Sequence, residues 1–145
     1  MTELTKILIT ASTTLIGGVT IYTAGRIIEK FYIEPIHSFR STVGEIAFSL
    51  IYYANIYTNA SIGDPKIANE ALNTLRKLAS DLSSKTNSIP CYDLFSLLRI
   101  VPSLSNSKTA CSNLIGLSNS YTSNDPKEIH ERRTIIQKAL KIKPL

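Results

Sequence analysis

Nineteen consecutive residues, Ile7 to Gly25, carry no charge, and this run constrains the fold more than any other part of the chain. As an α-helix it is roughly 28 Å long at 1.5 Å per residue, close to the roughly 30 Å hydrocarbon layer of a bilayer. The helix would have two unlike faces. Thr10, Thr13, Gly17, Thr20 and Ala24 recur three and four residues apart and fall in one narrow arc, whereas Leu8, Leu15, Val19 and Tyr22 fall on the opposite arc. One face is therefore small and hydroxylated, the other greasy.

The run reads as an uncleaved membrane anchor. Lys6 precedes it as in a signal peptide, but no A-x-A cleavage site follows it. Positive charge is thin before the run and denser after it, at Arg26, Lys30 and Arg40. The carboxyl side is thus expected in the cytoplasm and the amino terminus outside. Residues 1–30 form the expected membrane-spanning helix and 31–145 a cytoplasmic helical bundle. Taking away the anchor from 145 residues leaves enough chain for one small core.

Beyond the run, Phe31 and Tyr32 supply interface aromatics, and Pro35 is the first residue expected to break or kink the backbone. A second helix is expected from near Ile36. Its apolar positions Ile36, Phe39, Val43, Ile46, Leu50, Tyr53 and Tyr57 keep helical spacing, while Ala47, Phe48, Ile51 and Tyr52 widen the stripe until it nearly encircles the helix. Such a helix is buried on most sides, as a core helix or a subunit interface. Glu45 is the sole charge from Val43 to Ile62, so a second span is the alternative.

Asp64-Pro65 and Asp125-Pro126 look like two helix starts, aspartate as N-cap and proline at the first helical position, and Glu128 makes the second a capping box. The first opens an amphipathic helix with Ala68, Leu72, Leu75, Ala79 and Leu82 on one face, ending within Ser83 to Ser88. A short apolar element lies between Pro90 and Pro102. Two further helices are expected, from about Ser107 to Ser120 and from Pro126 to about Lys141. No segment alternates with period two, so the class is all-α: an N-terminal transmembrane-type helix followed by a small bundle.

Catalytic chemistry is not legible. His37 and His130 have no second ligand at helical spacing, and no phosphate-cradling glycine loop is present. Cys91 and Cys111 lack a CxxC and read as buried, reduced thiols. Neither enzyme activity nor a cofactor is expected, and no metal site. Glu45 has two readings: a salt bridge to Arg40 or Arg99, or a carboxylate facing the water-filled vestibule of an oligomer. The small-residue stripe also has two. Thr13-xxx-Gly17 and Thr20-xxx-Ala24 would let helices pack closely, or several copies would set threonine hydroxyls around a lumen. In the second case Thr10, Thr13, Gly17, Thr20 and Ala24 line a pore with Lys6 at its outer mouth. Basic residues crowd the last helix, and Arg132, Arg133 and Lys138 are the candidates for holding an anionic regulator.

The stretch Phe31-Tyr32-Ile33-Glu34-Pro35-Ile36, the block Gly44-Glu45-Ile46-Ala47 leading to Tyr52-Tyr53-Ala54-Asn55, the run Leu94 to Pro102 and the block Ile115-Gly116-Leu117-Ser118-Asn119 together resemble a group of short bacterial membrane-anchored helical proteins. Within that group the chain is similar to the channel subunit of Hailong-type antiphage systems. The resemblance implies a homo-oligomeric channel held shut by an inhibitory oligonucleotide made by a partner nucleotidyltransferase, and membrane depolarisation on its release. The residues by themselves leave a second class open, a non-conducting membrane-anchored interaction or scaffold domain.

Overall fold

The structure, a computed structural model, describes residues 2–54, 56, 65–120 and 125–143. Among these it is all-α and without strands. Helix α1 (Glu3–Ile28) runs through a π-helical turn (Glu29–Ile33) straight into α2 (Glu34–Tyr52), followed by α3 (Pro65–Ser88), the short α4 (Tyr92–Leu97), α5 (Leu104–Ser120) and α6 (Pro126–Leu140).

Of the two outcomes expected at Pro35 the break does not occur, and Glu3 to Tyr52 form one helix of 50 residues, about 75 Å long. Proline lacks an N–H, and its ring crowds the carbonyl one turn back. The π turn loosens the backbone at that place, and the Glu34 N–H reaches back five residues to the carbonyl of Glu29. The expected boundary near residue 30 therefore lies inside a continuous helix.

Four helices, α2, α3, α5 and α6, make the bundle. The most extensive pairings are α3 with α5 and α5 with α6, while α2 packs on α3 and touches α6 to close the ring. Helical spacing explains the core: Phe39, Ile46 and Leu50 from α2, Leu75 and Leu82 from α3, Leu114 and Leu117 from α5, and Ile136 from α6 are all fully buried. Polar links fix the neighbours. Lys85 donates to the buried Thr42 hydroxyl at 2.6 Å, and Arg76 reaches Ser118 and Asn119 at 3.3 and 3.1 Å.

Helix ends follow local chemistry. Asp125 accepts from the Lys127 N–H at 3.0 Å, so the second Asp-Pro start is a true N-cap; Asp64 lies outside the described residues. Ser103 accepts from the Asn106 N–H at 3.2 Å, which starts α5 at Leu104, ahead of the expected Ser107. Helices α4 and α6 both end with a residue in the left-handed region, Arg99 (φ 59°) and Lys141 (φ 56°). At each end a 6→1 bond closes the helix, Ile100 N–H to Phe95 carbonyl and Ile142 N–H to Gln137 carbonyl, both 2.9 Å.

Candidate functional site

Helix α1 has no buried residue. Its large apolar side chains, among them Ile7, Leu8, Leu15, Ile16, Val19 and Ile21, are all more than half exposed on the isolated chain. Leaving such side chains in water forfeits about 1.5–3 kcal/mol each. Among the described residues one helix is long and apolar enough to span a membrane, and this is its apolar part.

The threonines of the small-residue stripe are satisfied within the helix. Thr10 donates to the Lys6 carbonyl (2.9 Å), Thr13 to Ile9 (2.8 Å) and Thr20 to Ile16 (2.8 Å), and Thr14 does the same to Thr10 (2.9 Å). Back-bonding of this kind lets hydroxyls sit in an apolar medium without a stranded donor. Gly17 and Gly18 open a shallow notch, with nothing within 4 Å of a Cβ built at either one. The small Ala24 continues the same face toward Arg26. Lys6 pairs with Glu3 at 3.1 Å, one turn before the charge-free run, and Arg26 pairs with Glu29 at 3.0 Å just after it.

Glu45 is exposed on α2. Neither expected cation meets it: the Ser41 hydroxyl approaches its carboxylate at 3.5 Å, while Arg40 donates to the Ile100 carbonyl at 3.0 Å. Around it lies a surface the sequence did not single out as exposed. Phe48, Ile51 and Tyr52 stand in the open, with Phe48 stacked on Tyr52 at 5.3 Å between ring centroids. Helix α2 is thus buried on one side only, because the bundle encloses Phe39, Thr42, Ile46, Ser49 and Leu50 and leaves the opposite face bare.

The three cations chosen on α6 do not converge. Arg132 is committed to the fold: it donates to Glu128 at 2.7 and 2.9 Å and lies against Gly116, where any side chain would displace it. Lys138 is exposed. Arg133 lines a cavity of about 250 Å³ between α2 and α6, together with Leu50, Ile51, His130 and Lys143, and its buried Nε has no partner among the described residues. Lys143, part of the same basic cluster but not among the three chosen, joins this cavity because the chain folds back past Lys141 toward α2.

Two groups outside these surfaces are shifted, the buried Tyr92 and the half-buried Cys111. Burial pushes the Tyr92 phenol up, partly countered by its 2.8 Å hydrogen bond to Ser107, and burial also pushes the Cys111 thiol up. Cys91, expected to be buried, is exposed at the left-handed residue before α4. Among the described residues no cluster of His, Cys, Asp and Glu could hold a metal. No family model, curated protein or solved structure matches the chain.

Proposed function

We propose that this chain is a bacterial membrane protein in which α1 spans the inner membrane, the bundle stands in the cytoplasm, and several copies assemble into a regulated ion-conducting pore. The observation that carries the reading is the single 50-residue helix, apolar and unburied over its first half and core-forming over its second. A continuous helix passes any movement of the bundle to the span. Self-assembly is supported by two bare surfaces, the small face of α1 and the Phe48, Ile51 and Tyr52 face of α2, which lipid does not reach.

In the pore, Thr10, Thr13, Gly17, Thr20 and Ala24 line the lumen, Lys6 sits at the outer mouth and Glu45 faces the inner vestibule. Arg133, with its unpartnered buried nitrogen, is the best placed of the three α6 cations to receive an anionic regulator. The resemblance to Hailong-type channel subunits makes that regulator an oligonucleotide and the outcome depolarisation in antiphage defence.

A specific observation favours the second reading, a non-conducting anchor. The stripe's hydroxyls are spent on their own carbonyls, so the face also suits simple packing. Ion flux from liposomes carrying the full chain, beside the Thr13→Leu/Thr20→Leu variant, separates the two. A pore predicts flux that the variant loses while its oligomer size is kept. No flux after nuclease treatment, or loss of assembly in the variant, selects the anchor.

A further inference from the structure

The short helix α4 and its C-cap residue carry three exposed leucines at i, i+3 and i+4, Leu94, Leu97 and the cap Leu98, with 54%, 79% and 59% of their surfaces open. They form one face, because those positions are neighbours on a helix. The other side of α4 holds it against the long helix: Phe95 packs on Tyr32 with ring centroids 6.0 Å apart, and Tyr92 packs edge-on against Phe39. Tyr32 is four residues past Ile28, the last apolar residue of α1, hence about 6 Å along the axis. Headgroups occupy a layer of about 5–8 Å on each side of the hydrocarbon. The leucine face is therefore held at headgroup level beside the span.

Asp93 is an exposed acid on α4 itself, but the cavity behind the leucines has charge of one sign. Arg40, Arg99 and Lys141 border a second cavity, of about 180 Å³, that no acid lines. None of the three has a carboxylate within salt-bridge distance among the described residues, and Arg40 is turned to the Ile100 carbonyl. Apolar side chains in front and unpaired cations behind are what an element lying in a membrane interface presents. Cations within a Debye length of about 8–10 Å of an anionic surface are attracted to it.

We infer that α4 is a second membrane contact, in which Leu94, Leu97 and Leu98 enter the interface of the cytoplasmic leaflet and Arg40, Arg99 and Lys141 favour anionic phospholipid. The inference rests on α1 spanning the bilayer. It makes the bundle a body seated on the membrane, not one swinging from a stalk.

The chain contains no tryptophan, so an introduced one reports its own surroundings. Full-length Leu97→Trp, Val19→Trp and Ile115→Trp proteins are reconstituted in phosphatidylcholine vesicles with and without phosphatidylglycerol, using lipids brominated at shallow or deep acyl positions. Val19→Trp should be quenched by deep bromines, Leu97→Trp by shallow ones with a blue-shifted emission, and Ile115→Trp, on an exposed site of α5, by neither. Phosphatidylglycerol should strengthen the Leu97→Trp quenching, and Arg99→Gln/Lys141→Gln should remove that gain. Leu97→Trp behaving like Ile115→Trp while Val19→Trp is quenched overturns the inference and leaves the span standing. Absence of quenching at Val19→Trp removes both.

Discussion

The two halves of one helix obey different solvents. From Glu3 to Ile28 no side chain is buried, although the segment is the most apolar in the chain; from Glu34 to Tyr52 a less apolar segment buries Phe39, Thr42, Ile46, Ser49 and Leu50. Hydrophobicity alone does not decide burial within a chain. The decisive difference is the presence of partners, because α3 and α6 cover one stripe of α2 and leave Phe48, Ile51 and Tyr52 bare, whereas among the described residues no bundle helix is laid along α1.

The largest effect that would break this comparison is in the core. Ile46→Ala should cost the bundle about 2–5 kcal/mol, while Ile16→Ala, equally apolar, should leave its unfolding midpoint unchanged. Urea denaturation in detergent micelles, followed by circular dichroism, measures both; similar losses would mean that α1 belongs to the folded core.

A smaller effect separates the halves by hydrogen bonding. Tyr92→Phe strands the buried Ser107 hydroxyl and should cost about 1 kcal/mol. It should also change the alkaline limb of stability. Because burial raises the Tyr92 pKa above its unfolded value of about 10, its contribution is intact below that pH and declines as pH rises through the folded pKa. The wild-type melting temperature should therefore fall more steeply above about pH 10 than that of Tyr92→Phe.

Of similar size and opposite sign is the relief of left-handed backbone. Arg99→Gly and Lys141→Gly should each stabilise the bundle by about 1 kcal/mol, since glycine occupies that conformation without a Cβ penalty. Thermal melts that show a loss instead would mean that the long side chains hold the bundle more than the backbone resists them. The smallest change is chemical. The exposed Cys91 should react with a thiol reagent well before Cys111, whose thiol burial keeps protonated, and mass spectrometry of the alkylated protein reads the order.

Legibility followed the range of the interactions. Asp125 and Pro126 act within one turn, and their helix start was readable; so was the Arg132–Glu128 pair at four-residue spacing, although the sequence reading spent Arg132 on a ligand. The core stripe of α3 was readable because period 3.6 is local. The continuity through Pro35 was not, because one π turn leaves no compositional mark. Nor were the Arg133 cavity and the bare face of Phe48 and Tyr52, which exist only once α6 is laid along α2. Left-handed Arg99 and Lys141 were hidden for a simpler reason, since glycine is the residue that advertises such caps.

The π turn has a consequence for chain length. In a regular α-helix, adding or losing a residue rotates everything beyond it by about 100°. Removing one residue near Gly18 would thus swing the small face of α1 away from its bearing on the bundle. The turn at Glu29–Ile33 already absorbs one surplus residue, so a deletion there would straighten the helix and keep both bearings, at the expense of bringing the Pro35 ring against the carbonyl below it. Angular alignment between the two halves is therefore held in five residues, and it is there that evolution or design can lengthen or shorten the shaft without turning it.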